Sequence, residues 1–88
     1  IKGLYNIRDG FAEVIEAEVS ETSSIVNTTI EELNLPHEVI VGGVIRDEQF
    51  IMPELNFTIR AGDDVIILAS RSQAQNVEKM FSVQVDLF

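Results

Sequence analysis

The stretch VIVGGVIRDEQFIM, residues 39–52, consists of two apolar runs that are joined by a short charged segment. Its β-branched and aromatic residues favour strands, so the stretch predicts a β-hairpin that turns at Asp47 and Glu48. With a two-residue turn, Val44 lies opposite Ile51, and the neighbouring pairs follow from that register.

Both faces of this hairpin are predicted to be apolar. One face carries Val41, Gly43, Ile45, Phe50 and Met52. The other carries Gly42, Val44 and Ile51, with Arg46 and Gln49 towards the turn. A domain of 88 residues buries only roughly 60–65% of its unfolded surface, so we expect one face to meet a helix or another subunit. The second face supplies the predicted dimer interface, which consists of Val44, Ile51 and Gln49. A register shift of one residue would exchange the two faces.

Further strands are predicted before and after the hairpin in the sequence. After the turn signal Asp9-Gly10, the run AEVIEAEV (residues 12–19) alternates apolar residues with glutamates, as a half-buried strand does. The run DVIILAS (residues 64–70) is almost entirely apolar, which is typical of a central strand. The tail VQVDLF (residues 83–88) alternates again and predicts a strand in this sheet or in a neighbour's.

A short helix is predicted in the segment NTTIEEL, which precedes the hairpin. This segment contains two capping-box spacings, Thr28 with Glu31 and Thr29 with Glu32. Asn34 suits the left-handed conformation that often ends a helix.

A second helix is predicted to begin near Ser72, with Gln75 completing its cap. Its apolar stripe comprises Ala74, Val77, Met80 and Phe81. The predicted fold class is therefore α+β, a small and mainly antiparallel sheet with two short helices. We expect a single domain over residues 1–88, in which a leader strand and turn (1–11) precede a core (12–81) and a C-terminal strand or tail (82–88).

Charge and composition exclude several classes of partner and site. The chain has 15 acidic and 6 basic residues, a net charge of −9, and no Lys or Arg from Asp9 to Ile45. This field repels phosphates, so nucleic acid and anionic membrane surfaces are poor partners. The absence of cysteine excludes disulfides and thiolate metal sites. Because the chain begins at Ile1 rather than Met, we expect it to be part of a longer protein.

Catalysis and metal binding find little support in the sequence. Asp63 and Asp64, which follow Gly62, could act as an acid–base pair, but turn formation explains them with fewer assumptions. His37 lies in a loop after Pro36 and has no predicted partner that would orient it. We therefore predict no enzyme activity, no catalytic residue and no metal site.

Two features of the hairpin favour binding over catalysis. Gly42 and Gly43 lie inside a strand rather than before a helix, so they predict a bulge or the close approach of another backbone or a ligand. Arg46 at the end of this strand suits an anionic ligand or a carboxylate from another subunit, and an exposed hairpin end is the alternative.

In their order and spacing, three stretches resemble the TrkA-C domain, the C-terminal half of the RCK units that regulate potassium channels and transporters. They are SSIVNTTIEELNLP (23–36), VIVGGVIRDEQFIMP (39–53) and TIRAGDDVIILAS (58–70). The leader LYNIRDGFAEVIEAEV (4–19) is similar to the segment that enters the last such domain of Trk potassium-uptake regulators.

The resemblance implies a dimerising regulatory module that controls a membrane cation transporter. In the family, a Rossmann half that binds NAD(H) or a nucleotide precedes this domain, so NAD is expected upstream and no cofactor in this domain. The C-terminal halves pair, and the assembly forms a ring beneath a membrane cation pore. The implied partners are a second copy and a potassium-transport subunit, and the implied location is cytoplasmic, at the inner face of the plasma membrane.

A small ligand is implied as well, since the cleft between paired domains binds one in some relatives, for example a cyclic dinucleotide. By this resemblance the ligand site comprises Val41, Gly42, Gly43, Arg46 and Pro53. Dinucleotide binders tend to present a polar side chain where this chain has Val41 and the glycines. Arg46 is then the residue that contributes charge towards a small anionic ligand.

Two other functions stay open at the level of sequence. The same type of domain could be appended to a cation/proton antiporter or an anion permease, and sequence upstream of Ile1 would separate this case from a Trk regulator. A small carboxylate-dependent enzyme is the remote alternative.

Overall fold

Five antiparallel strands form one sheet in the computed structural model, which describes residues 1–81. The strands are β1 (Gly3–Ile7), β2 (Ala12–Glu18), β3 (Val39–Arg46), β4 (Gln49–Ile51) and β5 (Asp64–Ser70). Their order across the sheet is β1-β2-β5-β3-β4, so the apolar run of residues 64–70 is central, as predicted. A 3-10 helix (Glu31–Leu33) and an α-helix, α1 (Ala74–Met80), complete the α+β fold.

The hairpin of β3 and β4 has the predicted register, with Val44 opposite Ile51 and Ile45 opposite Phe50. Its turn residues Asp47 and Glu48 both have positive φ, 51° and 63°. Two consecutive residues in this conformation form the type I′ turn that matches the twist of the strands, although neither residue is glycine.

A bulge at Gly42 changes which side chains of β3 face the core. The pairing of β3 with β5 shifts between Val41 and Gly43, so Gly42 is an extra residue in the ladder. Because the extra residue reverses the alternation, Val41 and Val44 lie on the same side of the sheet. The predicted face that grouped Val41 with Ile45 is therefore wrong.

The core lies on one side of the sheet, where α1 and the loops pack. Central β5 contributes Val65, Ile67 and Ala69, which are at most 1% exposed. The remaining members of the core cluster come from β2, β3, the loops and α1: Ile15, Val19, Ile25, Ile30, Val39, Val44, Ile59 and Val77. The sheet therefore has an inner face, covered by α1 and the loops, and an outer face on the opposite side.

The predicted helix before the hairpin is a single 3-10 turn, which follows a capping box. The Thr29 N–H donates to Glu32 Oε1 (2.9 Å), and the Glu32 N–H donates to Thr29 Oγ1 (3.1 Å). The alternative spacing of Thr28 with Glu31 is not used, because the Thr28 hydroxyl bonds to the Ile25 carbonyl. Asn34 has the expected left-handed conformation, with φ of 49°.

The cap predicted for α1 is wrong, although its apolar stripe is confirmed. Gln73 is the N-cap residue and makes no side-chain capping bond, whereas Ser72 Oγ lies 3.1 Å from Ser70 Oγ. Ala74 and Val77 are buried against the sheet.

The strand predicted over residues 83–88 lies outside the described residues. None of the helices within residues 1–81 has the length and the apolar composition that crossing a membrane requires.

Neighbouring substitutions on β3 test the assignment of its two faces. Val44→Glu is expected to destabilise the fold by more than about 4 kcal/mol, because it buries an uncompensated charge in the core. Ile45→Glu places the same charge on the outer face and is expected to cost about 1 kcal/mol. Thermal unfolding followed by far-UV circular dichroism measures both. The assignment fails if Ile45→Glu unfolds the domain and Val44→Glu does not.

Candidate functional site

An open groove lies beside the first half of β3. Strand β4 pairs only with residues 44–46 of β3, so residues 39–41 have no strand partner on that side within residues 1–81. Strand β4 ends at Ile51, and Pro53 and Asn34 lie on the groove. The groove has a volume of about 420 Å³ and is lined by Ile30, Glu31, Asn34, Leu35, Val39, Ile40, Val41, Pro53 and Leu55.

Backbone hydrogen bonds fix the two walls of the groove relative to each other. The Glu31 N–H donates to the Leu55 carbonyl (2.9 Å), and the Ile30 N–H donates to the Phe57 carbonyl (3.0 Å). Thr29 also forms an isolated β-bridge with Thr58. The wall residues thus belong to two segments that hold each other in place, which preforms the groove.

The groove is chiefly apolar and carries little charge. Ile40 and Leu55 are 57% and 64% exposed at its rim. Among its described lining residues only Glu31 is charged, and the Asn34 amide adds a neutral polar group. This composition suits a ligand with an apolar body that is positioned by a few polar contacts.

Arg46 is held away from this groove by Asp63. Its Nε and Nη2 donate to the two carboxylate oxygens of Asp63, at 2.8 and 2.7 Å, in a bidentate pair. Nη2 also donates to the Thr58 carbonyl (2.8 Å), and the guanidinium lies 4.6 Å from the centre of the Phe57 ring. These contacts join the end of β3 to the segment that leads into β5.

The Asp63 carboxylate is stabilised in its ionised form although only 1% of the residue is exposed. Burial raises the pKa of Asp63, but hydrogen bonds from the Arg46 side chain and the Arg60 N–H outweigh burial and hold the pKa below its ordinary value. In turn, the hydrogen bond to Asp63 raises the pKa of Arg46. The pair is therefore charged throughout the physiological range.

The structure brings two of the five predicted ligand residues together. Val41 and Pro53 line the groove. Gly42 is the bulge residue, and Gly43 is buried because the Phe50 ring covers it, so that a Cβ at Gly43 would overlap the ring. A ligand role for Arg46 and the two glycines stays a prediction.

Sequence reasoning missed several lining residues, of which Leu35 and Leu55 are examples. Both stand close to a proline in sequence, Pro36 and Pro53. Proline favours extended backbone around it. Pro36 and Pro53 were therefore the features of the sequence that could have indicated two extended segments at this groove.

The predicted interface residues do not share one exposed surface. Val44 is fully buried in the core, Ile51 opposite it is half-buried, and Gln49 is exposed near the turn. The register is as predicted, but this side of the hairpin is the inner face. The pairing of two copies stays a prediction, and Val44 belongs to the core.

The two carboxylates considered for catalysis have separate ionic partners. Asp64 accepts hydrogen bonds from the Lys2 ammonium, at 3.0 and 3.1 Å, whereas Asp63 binds Arg46. His37 is in an exposed loop, where its side chain is 93% exposed and Nε2 lies 3.9 Å from Glu38.

Neutralising Asp63 is expected to lower the stability at pH 7 by about 2–4 kcal/mol, because it leaves the Arg46 charge without its partner. The folded-state pKa of Asp63 lies below that of an unfolded aspartate, about 3.9. The contribution of the carboxylate is therefore complete above about pH 5 and is lost as the pH falls through the folded-state value. Urea unfolding of wild type and Asp63→Asn should show a difference that shrinks as the pH is lowered from 5 towards 2.

The neighbouring variant Asp64→Asn is the matched control for this measurement. It removes an exposed ion pair with Lys2 and is expected to cost less than about 1 kcal/mol. Equal losses in the two variants would contradict a structural role that is specific to Asp63.

Comparisons with known proteins show what the chain as a whole is similar to. The model of the TrkA-C domain family matches residues 14–82. The Trk system potassium uptake protein TrkA of Azorhizobium caulinodans is 32% identical over the whole chain, and TrkA homolog 2 of Methanosarcina mazei is 40% identical over 92% of it. The chain spans about a fifth of the length of these relatives, 19% and 18%.

A solved structure described as an RCK domain with cda has the same fold. It superimposes with a TM-score of 0.62 at 18% sequence identity, over 78% of this chain and 97% of that chain. At this identity the likeness is evidence for the fold.

Proposed function

Because the chain belongs to the TrkA-C domain family, we propose that it is the regulatory, ligand-sensing domain of a potassium-uptake regulator that controls a membrane cation transporter. The supporting observation is the groove in which Val41 and Pro53, two of the predicted ligand residues, come together. Relatives named Trk system potassium uptake protein TrkA support the link to potassium uptake.

In the proposed mechanism the groove holds a small ligand, and two copies of the domain pair. A ligand that binds one arrangement of the pair more tightly than the other shifts the equilibrium between arrangements. The shift transmitted to the transporter can be no larger than this difference in binding free energy.

In this proposal the groove supplies polar contacts other than the Arg46 guanidinium, whose Nε and Nη2 bind Asp63. The Asn34 amide and the backbone at the open edge of β3 are the groups that the groove offers instead. Glu31 at the groove disfavours a highly charged anion and favours a ligand whose charge is small or is directed to solvent.

The proposal also covers the rest of the assembly. A Rossmann half that binds NAD precedes this domain in the longer protein, and the transporter subunit places the regulator at the cytoplasmic face of the membrane. We assign no catalytic role to Asp63 and Asp64, because each is bound to a cation of its own.

The second candidate function is that of the same domain appended to an antiporter or anion permease.

A pair of leucine substitutions in the longer regulator tests the role of the groove. Leu55→Glu adds a charge at the groove rim, whereas Leu4→Glu adds the same charge at a similarly exposed leucine on β1, which does not line the groove. In cells that depend on the regulator, Leu55→Glu is expected to change potassium uptake at limiting external potassium by several-fold. Leu4→Glu is expected to leave uptake within two-fold of wild type.

Uptake measured with radioactive rubidium as the potassium substitute gives the readout. Equal uptake in wild type, in both variants and in cells that lack the regulator would contradict the proposed function. If loss of the whole domain abolishes regulation but Leu55→Glu leaves it unchanged, the ligand site lies outside the groove.

A further inference from the structure

We propose that the open edge of β3, residues 39–41, binds an extended basic peptide segment of the transporter subunit as an added strand. The inference names a protein partner for the groove, and the source of the segment rests on the proposed function. The binding site consists of the backbone of Val39 and Val41 together with the groove walls, to which Leu35 and Leu55 belong.

The backbone groups of Val39 and Val41 point away from β5. The Ser70 N–H donates to the Glu38 carbonyl (3.1 Å), and these two residues continue the register of β3 with β5. Hydrogen-bonded and non-hydrogen-bonded pairs alternate along an antiparallel ladder. Ile40 therefore bonds to β5, whereas Val39 and Val41 direct two N–H and two C=O groups to the opposite side, where the groove lies.

No strand within residues 1–81 pairs with these four groups. Strand β4 pairs with β3 only from Val44 onwards and ends at Ile51. Pro53 has no N–H with which to continue the ladder. Native sheet edges are often protected by lysine, proline or a covering segment, whereas this edge has the sequence Val-Ile-Val. An added strand would continue the line of β4 at the usual spacing of about 4.8 Å from β3.

Unpaired backbone groups favour a strand over a helix as the occupant. A helix uses its own N–H and C=O groups internally, so it would leave those of the β3 edge without partners. An extended peptide pairs with them, and its alternate side chains enter the groove. The groove offers these side chains apolar contacts, because Ile40 and Leu55 are 57% and 64% exposed at its rim.

Acidic side chains around the groove favour a basic partner. Glu31 lines the groove, and the exposed Glu38 and Glu54 are next to the lining residues Val39 and Leu55 in sequence. The described lining residues include no Lys or Arg, and the chain carries a net charge of −9. Lys and Arg residues that flank the added strand would therefore approach opposite charges.

The transporter subunit of the proposed function is the source to which we assign the segment. Cytoplasmic segments next to membrane-spanning helices carry an excess of Lys and Arg. A regulator at the cytoplasmic face of such a protein meets basic chain segments, and this groove combines a negative rim with an edge that pairs with extended backbone.

The added strand and the proposed small ligand exclude each other, because both occupy the same groove of about 420 Å³. A ligand that enters the groove would release the segment, and the segment would displace the ligand. This competition links the concentration of the ligand to contact with the transporter, and it is reciprocal, as any coupling between two binding equilibria must be.

Fluorescence anisotropy of a labelled peptide tests the chemistry of the site. The probe KKTVTVTVKK is expected to bind the 88-residue chain with a dissociation constant of about 10–100 μM at 0.05 M NaCl. Screening should raise this constant at least five-fold at 0.5 M NaCl. The acidic analogue EETVTVTVEE should not bind at 1 mM, nor should the probe with N-methyl groups on its valines and threonines, which lacks the backbone donors.

Two substitutions of one residue separate backbone pairing from side-chain contact. Val41→Pro removes the N–H that points to the groove and leaves the ladder with β5 intact, so it should weaken probe binding at least ten-fold. Val41→Ala removes side-chain contacts but keeps the N–H, and should stay within three-fold of wild type. Circular dichroism establishes that both variants are folded, and the N-methylated probe tests the same pairing on unaltered protein.

A matched pair of charge reversals tests the acidic rim. Glu31→Lys and Glu21→Lys change the net charge equally, and both residues are exposed, but only Glu31 lines the groove. Glu31→Lys should weaken probe binding at least five-fold, and Glu21→Lys should stay within two-fold of wild type.

Synthetic peptides that cover the cytoplasmic segments of the transporter subunit test the source. At least one segment with two or more Lys or Arg residues is expected to displace the probe from the wild-type chain. No displacement by any of them would overturn the assignment to the transporter. Absence of probe binding at 1 mM, equal binding of the acidic or N-methylated peptide, or equal losses in Val41→Pro and Val41→Ala would overturn the added strand itself.

These outcomes are distinguishable from those of the rubidium uptake that tests the proposed function. Uptake that depends on Leu55, combined with no binding of the probe, would refute this inference and leave the proposed function standing. Binding of the probe at the edge, combined with uptake that does not depend on the regulator, would refute the proposed function and, with it, the transporter as the source.

Discussion

The extra residue at Gly42 determines which side chains of β3 are inside the domain, because a strand places successive side chains on opposite faces and a bulge reverses that order. As a result Val44 enters the core, and half-buried Val41 packs against it. Arg46, two residues further, also points inward, where it meets Asp63. The bulge thus sets the position of the ion pair that ties the hairpin to the entry of β5.

The ion pair anchors a segment that has no regular strand. Segment 57–63 contains one isolated bridge instead of a regular strand, and its position depends on separate contacts. Arg46 binds the Thr58 carbonyl, covers the Phe57 ring and holds the Asp63 carboxylate. One side chain therefore supports a segment that is bridged to Thr29, next to the groove residues Ile30 and Glu31. Arg46, for which a ligand role stays a prediction, thus has internal partners in the structure.

Alternation and turn chemistry predicted most of the sheet. The central strand, the β2 pattern and the β3–β4 register follow from local sequence, since each depends on residues that are adjacent in the chain. The faces of β3 could not be predicted, because a glycine pair is compatible with a bulge at either residue or with none. The predicted cap of α1 is wrong because the Ser72 hydroxyl lies next to the Ser70 hydroxyl and does not cap the helix.

Prediction of the site was limited by contacts distant in sequence. Val41 and Pro53 were identified through the family resemblance, and the groove does contain both. The partner of Arg46 lies 17 residues away, and the choice between an internal carboxylate and an external ligand depends on how two loops meet. The sequence therefore identified residue types suited to binding, and the folded chain determined which of them are available.

Tyr5 makes the outer face observable without a label. The chain has no tryptophan and a single tyrosine, and that tyrosine lies on the outer face of β1 with 57% of its surface exposed. The intrinsic fluorescence of the protein excited near 280 nm therefore originates from one ring at one known place. Quenching of this fluorescence by iodide or acrylamide reports how accessible the outer face is to solvent. The quenching therefore decreases, in real time, when another molecule covers this face.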